Sequence, residues 1–193
     1  VSAAGSVGLV RRAEQEGVPV AAETAPHYFS LDHRAVEEYN TYAKMNPPLR
    51  EPEDVEAIKK GLAEGVIDVI ATDHAPHSQT EKSLAFEKAP FGIVGLETAV
   101  PLTLGLIREG ILNWPEAVRK LSYVPATLLG VAGGVLTEGA VADLAVLDPD
   151  YSYVVKAEDM RSKGKNSPFI GWSMKGINVM TMVGGRIVWK REP

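Results

Sequence analysis

The stretch Val66-Ile67-Asp68-Val69-Ile70-Ala71-Thr72-Asp73-His74-Ala75-Pro76-His77 places a carboxylate and two imidazoles directly behind a run of apolar residues. These are the groups that hold divalent metals and move protons at neutral pH. The run is rich in Val and Ile and lies between Gly65 and Pro76, which predicts a short strand covered on both faces, as in parallel α/β sheets. Asp73 then stands at the C-terminal end of that strand. In barrels of alternating strands and helices this end carries the chemistry, because the loops converge there while the strand holds the side chain rigidly. The competing reading is that Asp73 only caps the next segment. With no cysteine in the chain, thiolate metal sites and cysteine nucleophiles are excluded, and any metal must be held by His, Asp or Glu. Of the other histidines, His27 follows a predicted strand over 18–23 and is a tempting ligand, whereas His33 sits among charged residues and is expected to be solvated.

The elements that must position these groups alternate. Val7, Leu9, Val10 and Ala13 form an amphipathic pattern ending at Gly17, and a helical pattern covers 31–39 with Asp32 as its cap. Two prolines make Lys44-Met45-Asn46-Pro47-Pro48-Leu49-Arg50 a rigid connection. A helix is predicted over 53–64: Pro52 suits its first turn, Glu53 and Asp54 complement the dipole, and Gly65 ends it. Residues 78–90, rich in Lys, Glu and Gln, read as a mobile loop over the site. Helices are predicted over 97–108, 115–121 and 125–129. Beyond Gly130 the texture changes to short β-rich runs with Gly and Asp turns, and Val183-Gly184-Gly185-Arg186 reads as a hairpin turn.

Composition bounds the function. The chain has 193 residues, 45% hydrophobic and 23% charged, enough for a core and without a disorder bias. A net charge of −5 gives no reason to expect nucleic acid or an anionic membrane as partner. No run approaches the ~18 apolar residues of a membrane span, and the N-terminal residues lack a signal-peptide pattern, so the cytoplasm is the expected compartment. The chain opens on Val1-Ser2-Ala3 without a Met and enters a helix at once, so further polypeptide is expected before Val1.

Four long motifs carry a family resemblance. Glu23-Thr24-Ala25-Pro26-His27-Tyr28, Lys44 to Arg50, Ala71 to His77 and Lys88-Ala89-Pro90-Phe91-Gly92-Ile93-Val94-Gly95-Leu96-Glu97-Thr98 resemble, in order and spacing, the second half of the bacterial dihydroorotases. The tail, Ala142 to Val146 and Asn166 to Gly171, is similar to that family's small β domain. The resemblance implies the amidohydrolase superfamily and an α/β fold: the C-terminal half of a (β/α)8 barrel over 1–130, then a small β-sandwich segment over 131–193. It also implies reversible hydrolysis and cyclisation between dihydroorotate and N-carbamoyl-L-aspartate in pyrimidine synthesis. Hydrolysing a ring amide at neutral pH needs a strong nucleophile and a polarised carbonyl, which two zinc ions sharing a hydroxide supply.

By the same resemblance Asp73 is both a zinc ligand and the proton shuttle, Asn46 and His77 bind substrate, and the Phe91–Gly92 backbone contacts the substrate ring. His74 takes a structural part and His27 no metal position, while Lys44 and Arg50 are expected to be solvated. The family's remaining ligands, a His-x-His pair, a bridging acid or carboxylated lysine and two further histidines, are not found in this chain. The expectation is therefore an incomplete portion, inactive and weakly zinc-binding alone. The partners implied are a second copy or aspartate transcarbamoylase. Two alternatives stay open: a hydantoinase or allantoinase, and a non-catalytic scaffold of aspartate transcarbamoylase.

Overall fold

In the computed structural model, which describes residues 1–192, helices and short parallel strands alternate before an antiparallel sheet. Helix α1 (Ala4–Gln15) leads to strand β1 (Glu23–Thr24), helix α2 (Pro52–Ala63) to strand β2 (Val69–Ile70). The two strands pair in parallel, Glu23 with Val69 and Thr24 with Ile70, so α2 lies on the crossover between them. Past the end of β2, His74 forms an isolated parallel bridge with Ile93.

Local chemistry explains the helices. Pro52 occupies the first turn of α2 with Glu53 and Asp54 beside it, and Gly65 follows at φ 80°. The predicted helix over 31–39 is instead a pair of tight turns: Asp32 caps it by accepting from the Arg34 amide, but Glu37 and Glu38 leave helical geometry and Glu38 reaches φ 57°. Helix α3 (Gln79–Lys82) is short, and helix α4 (Leu96–Arg108) runs through Pro101. Helices α5 (Trp114–Val118) and α6 (Val124–Leu129) join through a π-helical stretch, Arg119–Tyr123, so the two helices expected there are parts of one continuous rod.

Strands β3 (Leu144–Val154), β4 (Ser173–Val183) and β5 (Arg186–Lys190) form an antiparallel sheet in the order β3-β4-β5. The hairpin at Gly184-Gly185 has positive φ at both glycines, as its tight turn requires. The runs over 141–148 and 151–155 merge into β3 across a register shift between Asp148 and Ser152.

Two apolar clusters hold these layers. One joins Val7, Ile58, Leu62, Ile67, Ile70 and Leu106 beneath α1, α2 and α4. The other joins Ala25, Tyr28, Met45, Ile93 and Val94 to Val155, Phe169 and Met174 from the C-terminal part. No helix among the described residues is long and apolar enough to cross a membrane.

Candidate active site

Asp73 terminates the β2 segment at φ 48°, a left-handed conformation that Asp tolerates better than most residues. Its side chain is 52% exposed, and its Oδ2 lies 3.7 Å from His27 Nε2. His27 follows β1, so the parallel pairing of the two strands brings acid and imidazole together. The imidazole is 2% exposed, its Nε2 has no hydrogen-bond partner, and burial pushes its pKa down to about 4, so it is neutral at physiological pH. Tyr28 stacks edge-on against it. Burial, and secondly the charge of Asp73, hold the Tyr28 phenol above its usual range, so it stays protonated and donates to the Pro47 carbonyl at 2.8 Å. That bond ties the Asn46-Pro47 turn to the end of β1, and Asn46 is left exposed beside it.

The second half of the site is a backbone stack. His77 Nε2 meets the Phe91 carbonyl at 2.8 Å, which requires the hydrogen on that nitrogen and leaves Nδ1 free for a ligand. The Gly92 amide donates to the Lys44 carbonyl at 2.9 Å, linking the Phe91-Gly92 segment to the residues before Asn46. Gly92 has φ 109°, and a Cβ there would sit 2.5 Å from that of Ala75. Only glycine lets the two segments approach this closely. His74 Nδ1 accepts from the amides of Gly95 and Leu96 at 3.1 and 3.4 Å, which caps the start of α4.

Three expectations are corrected. Lys44 is buried, not solvated: its ammonium donates to the carbonyls of Phe86 and Ala89 at 2.5 and 2.6 Å and lies 4.5 Å from the Phe91 ring centroid. The segment 78–90, expected as a loop, contains local structure. Ser78 and Glu81 form a reciprocal cap on α3, and Lys82, 1% exposed, donates to the carbonyls of Pro90 and Gly92 at 3.0 and 3.1 Å. Burial, with the neighbouring Lys44 charge second, lowers the Lys82 pKa to about 8. His33 is half-buried and faces Glu51 at 3.2 Å, whereas solvation alone was expected.

One further residue, named above only as part of the tail, has no expected role at the site. Asn166, 2% exposed and far along the chain, accepts from the His77 amide at 2.9 Å and donates to the carbonyls of Ala75 and Gly92 at 2.9 and 3.1 Å. The sequence signals are its place at the head of the Asn166 to Gly171 run that carries the resemblance and its Lys-Asn-Ser-Pro context, and the second reads equally well as an ordinary turn asparagine.

Among the described residues no three His, Asp or Glu side chains converge as a metal cage. Asp73 offers one half-open carboxylate, and the buried neutral His27 is its nearest imidazole. The residues present therefore do not by themselves fit a pair of zinc ions.

Residues 6–188 match the family model described as Amidohydrolase family. The chain is 52% identical over 191 residues to a dihydroorotase from Geobacter metallireducens, covering 99% of this chain and 45% of that protein. It is 53% identical over 192 residues to a dihydroorotase from Endomicrobium trichonymphae, covering 98% and 46%. In shape it is similar to an L-hydantoinase (dihydropyrimidinase) from Arthrobacter aurescens, with a TM-score of 0.91 and 33% identity over 100% of this chain and 44% of the other. A dihydropyrimidinase from Brevibacillus agri gives a TM-score of 0.93 at 26% identity, over 98% and 43%. The chain thus spans less than half the length of the relatives it matches.

Proposed function

This chain belongs to the amidohydrolase family, and from that premise we propose that it supplies the proton-transfer and substrate-binding residues of a dihydroorotase. Residues 1–130 form the C-terminal part of a (β/α)8 barrel and 131–193 a small β unit in this reading. The observation that carries it is the agreement between sequence and geometry. Identity near 52% to the dihydroorotases extends over 99% of the chain, and the four motifs that bear it converge through the contacts of His27, Asp73, His77 and Gly92.

The reaction adds water across a ring amide of dihydroorotate, breaking the carbon–nitrogen bond to give N-carbamoyl-L-aspartate. Asp73 takes the proton that the attacking oxygen loses and returns it to the departing nitrogen. Its neutral, buried neighbour His27 leaves the carboxylate without a competing cation on that side. Asn46, exposed at its turn, offers its amide to the substrate carboxylate, and His77 presents Nδ1. The Phe91-Gly92 backbone lines the ring. Zinc belongs to the same reading with Asp73 as the single ligand from this chain, and the cytoplasm as the compartment.

The test is turnover of dihydroorotate by the polypeptide carried at the full length of its relatives, with and without chelator. Turnover lost on chelation and restored by zinc is the expected result. A second reading, a hydantoinase, draws on the shape match to the Arthrobacter enzyme. Hydrolysis of 5-substituted hydantoins with no action on dihydroorotate would favour it.

A further inference from the structure

We propose that Asn166 is a positioning residue for substrate binding, setting the distance between His77 and the Phe91-Gly92 backbone from the C-terminal part of the chain. The carboxamide is placed without ambiguity. Its Oδ1 faces a single donor, the His77 amide, and its Nδ2 faces two acceptors, the carbonyls of Ala75 and Gly92. The flipped orientation would set donor against donor and oxygen against two oxygens. The Asn166 main-chain carbonyl also accepts from the Val94 amide at 2.9 Å. Four hydrogen bonds from one residue therefore clasp both segments that carry the candidate substrate contacts.

Packing leaves the clasp no slack. A Cβ on Gly164 would lie 2.8 Å from Asn166 Oδ1, 2.9 Å from the Pro76 Cβ and 3.0 Å from the His77 nitrogen, so the turn before Asn166 presses directly on the Pro76-His77 backbone. The Gly92 carbonyl is held twice, by Asn166 Nδ2 at 3.1 Å and by Lys82 Nζ at 3.1 Å. The Phe91 carbonyl, one residue earlier, is the group that orients the His77 ring. Moving Asn166 thus shifts the ring and the Gly92 backbone together, while the strand that leads to Asp73 is held by its own pairing, Glu23 with Val69 and Thr24 with Ile70. The consequence is a separation of effects: loss of the clasp weakens substrate binding and spares the proton-transfer step.

The kinetic arm rests on the dihydroorotase reading and uses Asn166→Asp and Asn166→Ala in the full-length polypeptide. The Asp variant is isosteric but sets an oxygen against the carbonyls of Ala75 and Gly92, and the Ala variant removes all three side-chain bonds. The expected result is a KM for dihydroorotate raised about tenfold or more with kcat changed less than about threefold. A purely structural role would lower the folded fraction, hence the apparent kcat, and leave KM alone. Unchanged KM in a folded Asn166→Ala protein overturns the proposal. The second arm needs no activity: the His77 amide should be strongly protected from hydrogen exchange in the unmutated protein and lose that protection in both variants. Exchange of that amide at the unprotected rate in the unmutated protein overturns the proposal even where neither variant folds. If the full-length protein does not hydrolyse dihydroorotate, the functional reading falls and the exchange arm alone decides the role of Asn166.

Discussion

At the scale of single residues, Asp73 combines an uncommon backbone with an exposed carboxylate. Left-handed φ in a non-glycine residue is favoured chiefly by Asn and Asp, so Asp73→Asn keeps the conformation and removes the carboxylate charge that serves as base and as zinc ligand in the proposed reading. In the full-length polypeptide it should lower kcat by about 100-fold or more, the usual size of a lost general base, with the melting temperature nearly unchanged. Activity within about threefold of the parent would exclude Asp73 from proton transfer.

Lys82 makes a different prediction, because its charge is buried. Its pKa falls from 10.5 to about 8 in the folded protein, so between these values the unfolded chain binds more protons than the native one. Stability should therefore rise with pH from about 8 to 10.5 relative to a Lys82→Met variant, which lacks the titration. The difference should reach about 1 to 3 kcal/mol in urea unfolding at paired pH values, since each tenfold change in proton affinity between the two states corresponds to ~1.4 kcal/mol. A difference independent of pH would mean that the ammonium is solvated.

At the scale of elements, the junction of β2 and α4 is the tightest part of the site. A Cβ on Gly95 would fall on the Thr72 carbonyl oxygen, a backbone atom that cannot rotate away, one residue before Asp73. Gly95→Ala must displace either the start of α4 or the end of β2. It should destabilise the protein by about 1 to 3 kcal/mol in urea unfolding, the range of overpacked sites. It should also weaken the His74 cap, which depends on the Gly95 amide. This junction shows what the sequence could reveal. Helix α2 was legible because its Pro52, its acids and its closing Gly65 all act within a few residues, and so were the cap at Asp32 and the Gly184-Gly185 turn. Asp73 was legible because a strand end is a local event. Lys44 and Lys82 were not, since a lysine in a polar stretch reads as solvated until its carbonyl acceptors are known. For Lys44 those acceptors stand 42 and 45 residues away. Asn166 pairs with His77 across 89 residues, a separation at which no periodicity or motif spacing carries information.

For the molecule as a whole, the question is whether the change of texture at Gly130 marks an independent unit. Phe169 argues that the two parts share a core: it is fully buried, stands edge-on to Trp172 at 5.2 Å, and belongs to the same cluster as Ala25, Tyr28, Met45 and Ile93. Asn166, three residues earlier, grips the site itself, so the turn between them is anchored at both ends. If the antiparallel sheet were merely appended, truncating Phe169 would loosen that sheet and leave the parallel part intact. With a shared core, Phe169→Ala should remove about 3 to 5 kcal/mol from one cooperative transition, the usual loss for a buried aromatic. Helical circular dichroism reports mainly on the residues up to 130, because the long helices lie there, while Trp172 and Trp189 fluorescence reports on the sheet. With Trp114 replaced by Phe in both parent and variant, so that of this chain's tryptophans only Trp172, just before β4, and Trp189, in β5, emit, the two signals should shift together to lower urea. Two separated transitions, with the helical signal unmoved, would show that the parts unfold independently and that Phe169 stabilises only its own sheet.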